Sequence, residues 1–285
     1  MGNKISRRII RKKKSRNNSS REESTISSDD SNSVHIQLVP QLKTVADWEE
    51  ADRLQAFHFV LKHALDGNYN AKLSNIIRPG SKILARYWMC FEIAQEFPYA
   101  EVYGIDILST FPNKIKPNNC HFRTCDILEG LPFGDDEFDY VFMRYMLTSI
   151  KTYQWLPVLK DIKRVIKPGG TIESVELNTV HEVMLDAFEI DLQQKFEPMF
   201  EVLGFQNVSS ISKYISLGKW DENAGKIGQI FTTNTVQMAE AVKSILAPLM
   251  NLTEDEWDRM FRKMYFEEVD KHHTFQEHYV VLATK

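Results

Sequence analysis

Residues 82–107, KILARYWMCFEIAQEFPYAEVYGIDI, constrain this chain more than any other stretch. KIL is a short apolar β-type run. ARYWMCFEIAQEF predicts one turn and a short amphipathic helix. EVYGIDI predicts a second strand that ends on a carboxylate, Asp106. A strand–helix–strand unit whose second strand ends in an acid is how nucleotide-type cofactors are held, the acid taking the ribose hydroxyls. Such a unit normally carries a glycine-rich turn after its first strand. Here Ala85, Arg86 and Tyr87 stand between Leu84 and the helix, and no glycine occurs from 81 to 103.

The rest of the chain repeats the alternation. Residues 45–66 carry Trp48, Leu54, Phe57, Leu61 and Leu65 at three- and four-residue steps, which predicts an amphipathic helix stopped by Gly67 and Asn68. HFRTCDI predicts a third strand, again ending on an acid, Asp126. FDYVFMRYML is nearly all apolar and fits a buried central parallel strand. A helix over 154–166 is expected to be closed by Lys167-Pro168-Gly169-Gly170, with TIESVELN as the next strand. Residues 183–203 read as a helix, followed by a β-rich run to Leu217. Helical patterns then occupy about 233–250 and 254–270, and HYVVLATK closes as a strand. The class is α/β with a doubly wound, mostly parallel sheet. Such sheets bind ligands at the carboxyl ends of their strands, where Asp106, Asp126 and Arg144 fall. The helices before the last strand, about 218–275, would lie over that edge as a lid.

Charge divides the chain in two. Residues 1–33 hold nine Lys/Arg and four Asp/Glu, whereas the whole chain carries −4. The body is therefore acidic, which argues against nucleic-acid binding by the folded part. Residues 1–44 read as a disordered basic tail, and 45–285 as the folded domain. Gly2 and Ser6 fit the N-myristoylation pattern, with eight basic residues by position 16. Acyl chain and basic run together would supply the two signals that membrane anchoring requires. RRIIRKKK also reads as a nuclear-localisation run. The expected location is cytoplasmic, membrane-associated or nuclear, and labelling with a myristate analogue separates these readings. Three cysteines without a CxxC pair suit a reducing compartment.

Several words, taken in order, resemble one family: GIDI at 104–107, CDILEGLPFGDDEFDYVFMRYM at 125–146, VIKPGGTIESVEL at 165–177 and W…GKIG at 220–228. The chain resembles the class I S-adenosylmethionine-dependent methyltransferases. Within them it is most similar to a fungal branch related to ubiquinone-biosynthesis and secondary-metabolism-regulator methyltransferases. The resemblance covers about residues 45–285. It implies seven strands with the last antiparallel and S-adenosylmethionine as cofactor; the mixed polarity of the lid from about 213 to 277, with no basic groove, favours a small-molecule methyl acceptor over nucleic acid. The resemblance also implies that Asp106 accepts from the ribose hydroxyls, Ile107 packs on the adenine, Asp126 takes the adenine amino group with the Ile127 N–H nearby, and Arg144 lines the methionine end.

The departure is at the first motif. The family has an acid after KIL and then three glycines; here Ala85 holds the acid's place and the loop is about five residues short. Two functions from different classes stand: methyl transfer, which needs positioning and no catalytic triad, and a non-catalytic binding or scaffold protein. A nicotinamide oxidoreductase would need GxGxxG, and a serine hydrolase GxSxG; neither occurs. His58 and His63, five apart, are misplaced for a shared metal, and His272-His273 read as a solvated helix end.

Overall fold

The structure, a computed structural model, describes residues 47–107, 111, 116–146, 149–150, 152–177, 196–241 and 243–285. The readings placed on 1–44, Gly2 included, lie outside them.

Helix α1 (Asp47–Ala64) and the single turn α2 (Leu73–Ile76) lead into β1 (Lys82–Arg86), α3 (Tyr87–Glu96), β2 (Glu101–Asp106) and β3 (Cys120–Thr124). β4 (Phe138–Arg144) is followed by a 3-10 turn at Thr152–Gln154, then α4 (Trp155–Val165) and β5 (Ile166–Leu177). After α5 (Phe196–Val202) and β6 (Gln206–Ser216) come α6 (Gly225–Ala241), α7 (Lys243–Leu249) and α8 (Glu254–Arg262). A π turn at Lys263–Glu268 and the short α9 (Val269–Lys271) precede β7 (Phe275–Thr284).

The seven strands form one sheet in the order β3-β2-β1-β4-β5-β7-β6. β1 to β5 are parallel to their neighbours, and β7 runs antiparallel to both β5 and β6. The expected doubly wound, mostly parallel sheet is thus the one observed. Alternation along each strand supplies both faces. Ile83 and Ala85 join the core cluster of α1 and α3, whereas Leu84 joins that of α4 and α5. In α4, Trp155, Val158, Leu159, Ile162 and Val165 are buried at helical spacing. Trp155, Phe196, Phe200 and Phe205 are core residues.

Lys167-Pro168-Gly169-Gly170 is not a loop between helix and strand, as the sequence suggested, but a bulged segment inside β5. Phe138 pairs with Ile166 and Tyr140 with Thr171, so the extra residues are absorbed between them. The end of the chain satisfies the bulge: Gly169 N donates to Lys285 O at 2.8 Å, and Lys285 N to Gly170 O at 2.9 Å.

The helices α6 to α9 enter the chain where β6 ends. Gly228 lets α6 approach that end: a Cβ there would stand 2.5 Å from the Gly218 carbonyl oxygen and 2.7 Å from that of Ser216. Thr232 bridges the same contact, donating to Gly228 O and accepting from Gly218 N, both at 2.8 Å. Both obstructing atoms are backbone, so Gly228→Ala is expected to destabilise the domain by about 1–3 kcal/mol. Thermal unfolding checks this; an unchanged midpoint would show that α6 can back away freely.

Candidate functional site

The direction of winding changes between β1 and β4, and the crevice at their carboxyl ends is where this sheet type holds ligands. Four strand ends meet there. Asp106 closes β2, its side chain 19% exposed, and the following Ile107 is 41% exposed. Cys125 N donates to the Asp106 carbonyl at 2.9 Å, which sets Asp126 and Ile127 just beyond β3 on the same edge. Asp126 Oδ1 accepts from Leu128 N at 2.9 Å, so one carboxylate oxygen is held by its own turn. Ile127 is half-buried against the α4 face of the core.

Arg86 ends β1 and leads directly into α3 with extended backbone, φ −75° and ψ 147°. No loop intervenes, so its side chain fills the space that a glycine turn would leave open. Its Nε lies 3.6 Å from Asp106 Oδ2, and its Nη1 donates to the Arg144 carbonyl oxygen at 3.3 Å. β2 tolerates α3 this closely because Gly104 has no side chain. A Cβ there would meet the Phe122 ring at 2.5 Å and Cys90 Sγ at 2.9 Å.

Arg144 ends β4, and its guanidinium turns toward α1. Nη2 donates to His58 Nδ1 at 3.0 Å, and His58 Nε2 lies 3.3 Å from Glu92 Oε2 on α3. Accepting at Nδ1 puts the imidazole proton on Nε2, facing the carboxylate. Burial, reinforced by the Arg144 charge, lowers the His58 pKa to about 4. His58 is therefore a neutral ring between two ions, bonded to Arg144 and close to Glu92 without a well-formed hydrogen bond to it; helical spacing showed it only as a surface or packing residue.

A second polar group lies behind Arg144. Tyr145 has φ +55°, a left-handed conformation rare for a bulky residue, and its hydroxyl is buried without a hydrogen-bond partner. His278, opposite Leu177 in the β5–β7 register, is fully buried, and among the described residues neither ring nitrogen meets a partner in good hydrogen-bond geometry. Tyr145, Phe231 of α6 and His278 pack ring to ring, at 5.8 Å from the imidazole in both cases. No sequence signal marked Tyr145 or His278, because each matters through neighbours on other strands.

Among the described residues no group of three or more His, Cys, Asp and Glu side chains could hold a metal ion, and no helix is long and apolar enough to cross a membrane. His272 lies 2.6 Å from Glu268, and His273 stacks on Trp220.

Residues 88–170 match the methyltransferase domain family. The secondary metabolism regulator laeA of Coprinopsis cinerea is 28% identical over 163 residues, which are 54% of this chain and 40% of that protein. The demethylmenaquinone methyltransferase of Bacillus subtilis is 38% identical over 84 residues, 27% of this chain and 34% of that enzyme. The chain thus spans less than half the length of these curated relatives. Among solved structures, a phosphoethanolamine N-methyltransferase of Haemonchus contortus in complex with S-adenosylhomocysteine has 16% identity and a TM-score of 0.46, covering 81% of this chain and 57% of that one. Together with the sheet order described above, these similarities support a class I S-adenosylmethionine-dependent methyltransferase fold for the chain. Its similarities fall among the secondary-metabolism-regulator and quinone methyltransferases, the branch its sequence words resemble.

S-adenosylmethionine is the cofactor of this family, and the edge fits it unevenly. At the nucleoside end a carboxylate at the tip of β2 stands beside an exposed apolar side chain, the chemistry that ribose hydroxyls and an adenine face require. At the methionine end the residues do not fit as they stand. No glycine stands between β1 and α3, Ala85 is 1% exposed, and the Arg86 guanidinium lies beside Asp106.

Proposed function

We propose that this chain is a methyltransferase-fold protein that binds S-adenosylmethionine through its nucleoside and directs methyl transfer to a small-molecule acceptor. The observation that carries the reading is the Asp106–Ile107 pair at the end of β2, beside the β1–β4 crevice. In this reading the Asp106 carboxylate accepts from the ribose hydroxyls and Ile107 covers the adenine. The free oxygen of Asp126 and the Ile127 N–H take the adenine edge. Arg144, fixed by His58, borders the far end. The acceptor would approach beneath α6, where the aromatic side chains Phe57, Tyr145 and Phe231 face one another. Methyl transfer asks chiefly for alignment, so no catalytic triad is required there.

Calorimetric titration of the full chain with S-adenosylmethionine tests the reading. Asp106→Ala is expected to weaken binding at least tenfold, about 1.4 kcal/mol or more, by removing charge-assisted hydrogen bonds. Equal affinity in the two proteins would remove Asp106 from the site.

A further inference from the structure

Every cofactor site built on a strand–helix–strand unit is open at one place, the turn after the first strand. In this chain that place is occupied by an ion pair. Arg86 caps α3, reaches the acid of β2 at 3.6 Å and ties itself to the end of β4 at 3.3 Å. A ligand whose ribose is held by Asp106 meets the Arg86 guanidinium as it enters. The pair is open to solvent, with the Arg86 side chain 40% exposed, so it is weak enough to break.

Two guanidiniums, those of Arg86 and Arg144, border this place. Arg144 lies close enough for each guanidinium to feel the other. The amino end of α3 adds the partial positive charge of a helix terminus, with no acidic residue in its first turn to offset it. Ala85 contributes nothing where a carboxylate would balance them. Glu92, the nearest acid on α3, already serves Lys62 and Asn68, at 2.9 Å and 2.5 Å. Asp106 itself faces Arg86. A sulfonium entering beside these two guanidiniums is repelled by them, whereas an uncharged thioether is not.

We infer that Arg86 is a gate in the cofactor site: it closes the methionine end by pairing with Asp106, and its charge makes the site prefer uncharged S-adenosylhomocysteine to the sulfonium of S-adenosylmethionine. The inference rests on the proposed cofactor reading and adds to it the residue that sets affinity and selectivity. It accounts for a chain that keeps the nucleoside-end residues while lacking the glycine turn. The turn is replaced by a side chain that can swing away: among the described residues it is held by one hydrogen bond, to the Arg144 carbonyl, and by the Asp106 pair.

The test is calorimetric titration of the full chain and of its Arg86→Met and Arg86→Gly variants, with S-adenosylmethionine and S-adenosylhomocysteine in separate experiments. Arg86→Met keeps bulk and removes charge. It is expected to raise affinity for the sulfonium about tenfold and for the thioether about threefold or less. Arg86→Gly removes both and is expected to strengthen binding of each compound beyond the methionine variant. Equal gains for the two compounds in Arg86→Met would overturn the charge selection. Unchanged or weaker binding in both variants would overturn the gate while leaving the cofactor reading intact. If no form binds either compound, the cofactor reading falls and the gate with it. Far-ultraviolet circular dichroism of each variant confirms that the compared proteins are folded.

Discussion

Replacing Glu173 with alanine is expected to cost the domain about 3–5 kcal/mol, the summed penalty of leaving its donors without an acceptor. Glu173 sits in β5, fully buried, with no Lys or Arg among its hydrogen-bond partners. Its carboxylate is held by donors alone. Asn70 N and Nδ2 each donate to Oε1 at 2.8 Å, Ala71 N donates to Oε2 at 2.8 Å, and the Tyr140 hydroxyl donates to Oε2 at 2.9 Å. Burial, with Glu173 beside it, raises the Tyr140 phenol well above its ordinary range, so it remains a donor. Alanine would orphan two buried backbone N–H groups and a phenol, each costing about 1–3 kcal/mol. It would also release the segment joining α1 to β1 from the sheet. For a domain of this size the midpoint of thermal unfolding should fall on the order of 10 °C. Glu173→Gln keeps one acceptor oxygen but sets an amide NH2 against existing donors, and should fall between. Denaturant unfolding measures both; a loss below about 1 kcal/mol for alanine would mean that water replaces the carboxylate.

Glu173 also marks the boundary of what the sequence makes legible. TIESVEL reads as a strand, and it is one. That its glutamate is a core anchor depends on Asn70 and Ala71, more than a hundred residues earlier. Local periodicity cannot show such a partner. The strand ends were legible for the opposite reason: an apolar run stops where the core stops, which placed Asp106, Asp126 and Arg144 at the carboxyl edge before any coordinates. The antiparallel β7 came from resemblance, because HYVVLATK carries no mark of direction. The KPGG reading erred because helix-stop chemistry and a bulge use the same residues, and only the Phe138–Ile166 pairing distinguishes them. Arg86 was visible as bulk in the wrong place. Its pairing with Asp106 followed from the β1–β2 register, where Arg86 lies opposite Ile105, one residue short of the acid.

Between pH 6.5 and about 4.5 the folded domain should lose stability as pH falls, chiefly through two histidines. Burial lowers the His278 pKa to about 3 and that of His58 to about 4, against an ordinary value of 6.5. Both folded-state values lie below the unfolded one. The stability they represent is therefore fully present above pH 6.5 and is lost as the pH drops toward 4 and 3, because the unfolded chain takes up protons that the native state refuses. Each histidine contributes a slope of roughly 1.4 kcal/mol per pH unit within its window, so the pair removes at most about 5 kcal/mol by pH 4.5. Only the upper part of that range isolates the histidines, because glutamates with an ordinary value of roughly 4.3 begin to take up protons below about pH 5.5. His278→Leu separates the two contributions. Its imidazole is buried without a hydrogen-bond partner, so a leucine of similar volume should leave the domain as stable at pH 7.5 or more so, and halve the acid slope. Denaturant unfolding from pH 7.5 to 4.5 measures both quantities. An unaltered slope in the variant would mean that His278 is charged in the fold, and hence that water or a ligand reaches it beneath α6. A protein more stable without His278 would retain it for something other than stability, in its place against Tyr145 and Phe231 at the carboxyl edge of the sheet.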